Sequence, residues 1–233
     1  MMYFDPMYFL YLAPALLLAM WAQFRIHSAY NQAQQMAAPL SGAAAARHIL
    51  DSAGLTDVEI EEIPGQLTDH YDPRERVLRL SPEVYESRTL AAVGIAAHES
   101  GHALQHARGY APLAIRNAAV PAAGIGTQIS FPLILLGFFL NMRTPLGASL
   151  IWLGIGLFAT VVVFQVINLP VEFNASSRAK AQLVGLGIVN DEQLKYVSKV
   201  LNAAALTYVA ATLVAILTLL YYIMRFTGGG RRD

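Results

Sequence analysis

The sequence predicts a mainly α membrane protein, with about four transmembrane helices and a small α+β domain that contains a short antiparallel hairpin. Three observations predict it. The chain is 55% hydrophobic and only 14% charged, outside the range of soluble globular domains. Four apolar segments approach the roughly 20 residues that cross a bilayer: Met7 to Gln23, Ala118 to Met142, Pro145 to Leu169 and Ala204 to Met224. Between them lie two polar regions, Arg25 to Asn117 and Pro170 to Asn202, and the first mixes helical patterns with two short alternating runs.

The first apolar segment reads as a retained anchor. It has Asp5 in front instead of a basic stretch, and Gln23, Phe24 and Arg25 follow it in place of a small-residue cleavage site. The second is interrupted by Gln128, Ser130 and Pro132. Polar residues inside a span face neighbouring helices and proline is tolerated there, with a re-entrant segment as the alternative. Four spans leave both polar regions on one side, and these hold 12 of the 16 Arg and Lys residues. The positive-inside rule then sets them in the cytoplasm, giving a multi-pass protein of the cell inner membrane. Arg225, Arg231 and Arg232 fall on the far side and oppose that orientation.

In the larger polar region, "SGAAAARHILDSAGL" offers Ser41 as N-cap and Gly54 as the C-terminal stop of a helix. "DVEIEEI" and "ERVLRLS" read as short strands joined through "TDHYDPRE", where Asp72 and Pro73 signal a turn. A long helix is then expected from Ser81 as N-cap and Pro82 at the first helical position to Gly109 at the stop. The tail from Gly228 to Gly230 is expected to be disordered.

That long helix carries H-E-x-x-H as His98, Glu99 and His102. Residues four apart lie one above the other on a helix face, so both imidazoles reach one ion while Glu99 flanks the open coordination position. The chain has no cysteine, so a metal must be held by nitrogen and oxygen, and this pattern suits zinc. His106 sits about 12 Å along the axis from His98, too far to share an ion whose bonds to nitrogen are about 2.0 Å. A third ligand must come from elsewhere. The hairpin of the second and third spans returns the chain to the same face, where the first acid met is Glu172; Asp69, His70 and Asp72 compete for the role. Asp191 and Glu192 read as first-turn acids of the following helix. A net charge of zero and the lack of a basic tract exclude nucleic acid as a partner.

The chain resembles the YugP-like family of membrane zinc metallopeptidases over nearly its whole length. The resemblance is carried by "YFDPMY", "GQLTDHYDPR", "VLRLSPEVY", "AAHESGHALQHA" and "LPVEFNASSRA". It implies a zincin-like catalytic domain with one Zn2+ held by His98, His102 and Glu172, and Glu99 as catalytic acid/base in the gluzincin manner. It also implies proteolysis, with a peptide or protein substrate and membrane lipid as partners.

The expected organisation is an anchor over residues 1–24, a catalytic region over 25–117, a transmembrane hairpin over 118–169, a helical region with the third ligand over 170–203, and a last transmembrane helix and tail over 204–233. His70, Tyr71, Tyr110 and Arg178 are the candidates for holding the oxyanion or the substrate. An extended peptide is expected to add to the strand after Gly65 or to Val77 to Leu80 by β-augmentation. Two other readings compete. An intramembrane protease needs its histidines inside a long apolar span, whereas Glu86, Arg88, Arg108 and Arg116 bracket this motif. A non-catalytic zinc-binding scaffold has no use for Glu99.

Overall fold

The computed structural model describes residues 6–228; Asp5, Gly229, Gly230, Arg231 and Arg232, on which expectations were placed above, lie outside the described residues. In chain order the elements are α1 (Pro6–Gln34), α2 (Gly42–Ser52), β1 (Glu59–Glu62), β2 (His70–Asp72), β3 (Val77–Leu80), α3 (Pro82–Glu86), α4 (Leu90–Ala107), α5 (Ala111–Phe139), α6 (Pro145–Gly185) and α7 (Asp191–Gly228). α1, α5, α6 and α7 are each long and apolar enough to cross a membrane, which satisfies the expected four spans. The second is one continuous helix through Pro121 and Pro132, with no re-entrant break.

The chain forms two compact units. Among the described residues, one comprises residues 6–20, 115–169 and 208–228, the other residues 21–114 and 170–207. In the first, Ile134, Ile151 and Ile155 form a buried cluster with Leu219, Tyr222 and Ile223 packed against it. The α5–α6 pair approaches closely at Gly154, where a Cβ would stand 2.7 Å from the Ser130 carbonyl oxygen. Large apolar side chains such as Leu10, Leu17, Phe131 and Leu153 remain exposed, as surfaces in contact with lipid require.

The second unit has a core of α2, α4 and the sheet, with Ile49, Leu50, Leu78, Leu80, Leu90 and Leu104 fully buried. Ser41 caps α2 as expected, its hydroxyl accepting from the Ala44 N–H at 3.3 Å. The sheet departs from the expected pairing. The two runs read as strands, β1 and β3, pair in parallel, and a third strand, β2, lies inside the segment read as their connection. The antiparallel hairpin is β2–β3, in the order β1-β3-β2. Three residues are too short for a periodicity to register; β2 exists because β3 supplies its hydrogen bonds and Asp72 closes the turn, accepting from the Arg74 and Glu75 N–H groups. These bonds, Arg74's first, and the nearby Arg79 guanidinium hold the Asp72 carboxyl below the usual carboxylate range.

The single helix expected from Ser81 to Gly109 is two. Ser81 and Pro82 do start a helix, but α3 ends at Glu86 and Ser87 is extended, with ψ 140°. Long-range bonds replace the helical ones at the break: the Ser87 carbonyl accepts from Gly42, the Arg88 carbonyl from Ala38, and the Leu90 N–H donates to Met36. Thr89 then caps α4 by accepting from the Ala92 N–H at 3.2 Å. Ser81 does not cap; its hydroxyl donates to the Asp69 carboxylate.

Alanine, glycine and serine make up half of α4, which is buried along most of its length. α6 continues past Pro170, although proline deprives Val166 of its helical donor. Beyond it Val171, Ala175, Ala179 and Leu183, spaced by four, are all fully buried, and the packing of that stripe outweighs one lost bond. The two helices approach closely at Gly101, where a Cβ would stand 2.6 Å from the Ala175 carbonyl oxygen.

Gly101→Ala is expected to destabilise the protein by about 1–3 kcal/mol, as overpacking against backbone does, lowering the midpoint of thermal unfolding followed by circular dichroism in detergent. Gly156→Ala, at a helical glycine with open space around it, is the control and should leave the midpoint unchanged or higher. Equal effects would refute the close approach.

Candidate metal centre

On α4, His98 and His102 stand one turn apart on one face, their ring centroids 4.9 Å apart and the rings nearly perpendicular. Two of the three intervening residues are small: Ser100 is fully buried with its hydroxyl returned to the Ala96 carbonyl at 2.8 Å, and Gly101 admits α6. Glu172 enters from α6 and is buried, at 4% exposure. Its Oε2 lies 3.2 Å from His98 Nε2 and 3.8 Å from His102 Nε2.

These three residues offer one donor atom each, all within 4.8 Å of one another. A tetrahedral zinc with bonds near 2.0–2.1 Å sets its ligands about 3.3 Å apart, so the two measured separations fit an ion after small side-chain adjustment. Two imidazole nitrogens and one carboxylate oxygen are also the donor set of an open zinc site, with a fourth position left over.

Each histidine is held from behind. The Nδ1 of His98 lies 3.1 Å from the Ser176 hydroxyl, one turn beyond Glu172 on α6. The Nδ1 of His102 lies 3.0 Å from Oε1 of Gln105. Burial opposes charge on His98, but its hydrogen bond to Glu172 and the carboxylates of Glu99 and Glu172 outweigh that and hold the ring above the usual imidazole range. Burial pushes the Glu99 carboxyl up to about 7; neighbouring His98 opposes the rise, the Glu172 and Asp69 carboxylates add to it, and the Tyr71 backbone N–H, donating to Glu99, again opposes it.

The other residues named from the sequence fall elsewhere. Asp69 accepts from the Ser81 N–H at 2.8 Å and from its hydroxyl, and Asp72 is engaged in its turn, so neither belongs to the donor cluster. His70 is exposed, with Nδ1 2.8 Å from the Thr68 carbonyl oxygen. Tyr71 presents its backbone N–H to Glu99, while its hydroxyl lies 2.9 Å from His106 Nδ1. That pairing places His106 outside the cluster, as the helix geometry requires. Arg178 lies over the Tyr110 ring at 5.9 Å and donates to Asn174 Oδ1 at 2.7 Å, and the Tyr110 hydroxyl donates to the Pro170 carbonyl at 3.4 Å.

Sequence reasoning missed Gln105 and Ser176 as partners of the two histidines. A signal existed for each: Gln105 stands three residues from His102, and Ser176 four from Glu172, the spacings that share a helix face.

Comparisons with known proteins bear on the whole chain and on its family. The family described as "Putative neutral zinc metallopeptidase" matches residues 8–227. A protein of Bacillus subtilis (strain 168) named "Putative membrane protease YugP" is 47% identical over 227 residues, covering 96% of this chain and 98% of the relative. No solved structure matches the chain. The match over residues 8–227 and the 47% identity over nearly the full length of both chains lead to one assignment: the protein belongs to the family described as "Putative neutral zinc metallopeptidase".

Proposed function

We propose that the protein is a zinc-dependent endopeptidase that hydrolyses peptide bonds at the membrane surface, with one ion held by His98, His102 and Glu172. The observation that carries this reading is the convergence of those three donors beside Glu99, a carboxyl next to the ligands and not one of them. A bound zinc would supply Lewis acidity to a water and to the scissile carbonyl. Glu99, beside those ligands and not one of them, would accept a proton from the attacking water and return it to the departing amine. The Tyr71 N–H aims the Glu99 carboxylate.

β-Augmentation at Val77 to Leu80 does not fit the sheet, because β3 is bonded to β1 on one side and β2 on the other. β2 is an edge strand and carries Tyr71 beside Glu99, so an extended peptide pairs with β2 in this reading. The site acts at the surface and not inside the bilayer: α4 is not among the four helices apolar and long enough to span, and Glu86 and Arg88 precede it. Both polar regions face the cytoplasm, on the distribution of basic residues.

Three experiments test this. Glu172→Ala should remove most of the bound zinc in elemental analysis, whereas His106→Ala should leave the content nearly unchanged; the opposite pattern contradicts the ligand set. Glu99→Gln should keep zinc while lowering hydrolysis of a casein-type substrate by roughly 10² to 10⁴, the usual loss of a general base. Loss of zinc in that variant would make Glu99 a support of the metal, and zinc-loaded protein that cleaves nothing across a broad peptide library would favour a scaffold. For orientation, a tag inserted near Asp69 should be protected in intact cells and a reporter fused after Asp233 active outside; an accessible tag near Asp69 inverts the topology.

A further inference from the structure

Gln105 is a fully buried amide on α4, and its placement fixes more than packing. Its Nε2 has two hydrogens and two acceptors from α6: the Val171 carbonyl oxygen at 2.8 Å and Asn174 Oδ1 at 3.1 Å. Both donors are thereby used. Oε1, the atom facing His102 Nδ1 at 3.0 Å, has no hydrogen and can only accept. His102 must therefore carry its proton on Nδ1, which in the neutral ring leaves a lone pair on Nε2, the nitrogen turned toward Glu172.

The amide's own orientation needs an origin, since asparagine and glutamine each have two near-isosteric flips. It comes from Arg178. A guanidinium donates at every accessible pH and never accepts, so its Nε at 2.7 Å obliges Asn174 to present Oδ1. That oxygen obliges Gln105 to present Nε2, and so the direction of every bond back to His102 is set. The Val171 carbonyl, also an obligate acceptor, imposes the same orientation independently. Ser176 exerts no such control over His98, because a hydroxyl both donates and accepts.

We infer that Gln105 is a positioning residue that holds His102 in the Nδ1–H tautomer, its amide oriented by Val171 and, through Asn174, by Arg178. This rests on the zinc reading above for its purpose, though not for its geometry. It also gives Arg178 and Asn174 a role at the metal-facing nitrogen without contact with substrate. The same amide touches the backbone carbonyl of the residue before Glu172, so one side chain registers a ligand from α4 against a ligand from α6.

The test uses full-length, zinc-free protein in detergent, with ¹⁵N-labelled histidine, at a pH where the rings are neutral. The signals are assigned by comparison with His102→Ala. The ring of His102 should appear as the Nδ1–H tautomer in long-range ¹H–¹⁵N correlation. In Gln105→Met, which keeps the length and removes the hydrogen bonds, that tautomer should lose its dominance. Zinc Kd, measured by competition with a chelator, should rise about 10- to 100-fold, the usual cost of losing a group behind a ligand. An Nε2–H tautomer in the unmutated protein overturns the inference, as does a Gln105→Met protein with unchanged tautomer and unchanged Kd. Should Gln105→Met fail to fold, the tautomer of the unmutated protein decides alone. If the unmutated protein binds no zinc, the proposed function fails, while the tautomer still tests the network.

Discussion

The site depends on how closely two helix backbones meet. Glu172 is 74 residues from His98 along the chain, and a glutamate side chain spans only a few ångströms, so its carboxylate reaches the imidazoles only if α6 lies directly on α4. Gly101, between Glu99 and His102 in sequence, permits that contact: no side chain intervenes before the Ala175 carbonyl. The alanines that line both helices continue the approach on either side, and Ala96, Ala97, Ala175 and Ala179 are all fully buried. Small residues thus do for this site what long ligands would do for a wider one.

Close packing raises the cost of every polar atom trapped in it. His102, Gln105, Glu172 and Ser176 are buried together, and an unpaired polar group there would cost on the order of 1–3 kcal/mol. Among the described residues no buried side-chain nitrogen or oxygen lacks a partner. The bonds that satisfy these groups also leave each ring little freedom: His98 is bounded by Glu172 and Ser176, His102 by Glu172 and Gln105. Satisfying buried polarity and preparing a ligand array are here the same arrangement, which is why the network reaches out to Asn174 and Arg178 before it ends in a group that solvent can reach.

The catalytic reading of Glu99 follows from its neighbours in the same way. Crowding by protein disfavours its charge, nearby carboxylates add to that, and the Tyr71 amide restrains it. The amide comes from β2, a strand at the edge of the sheet. The membrane-crossing helices contribute differently: their exposed apolar side chains suit lipid, and α6 also supplies Glu172 and Ser176 beyond Pro170.

The sequence by itself determined the features that rest on local pattern. Apolar length marked the four spans, Ser41 marked the start of α2, and a spacing of four put His98 and His102 on one face with Glu99 beside them. Tertiary structure decided what depends on bonds between distant residues. β2 is three residues long and exists through β3; the pairing of β1 with β3 is parallel, which alternation within either run does not encode. Pro82 and Ser81 are sound helix-starting signals, yet the helix stops at Glu86 because Ala38, Gly42 and Met36 take the backbone groups that would have continued it. Pro170 is a sound stop signal, yet α6 continues because a buried stripe outweighs one missing donor. Gln105 carried only the weak signal of its spacing of three from His102, since a glutamine on a helix is ordinarily a solvated residue. Its meaning comes from the carbonyl of Val171 and the amide of Asn174, which packing alone brings within 3.1 Å.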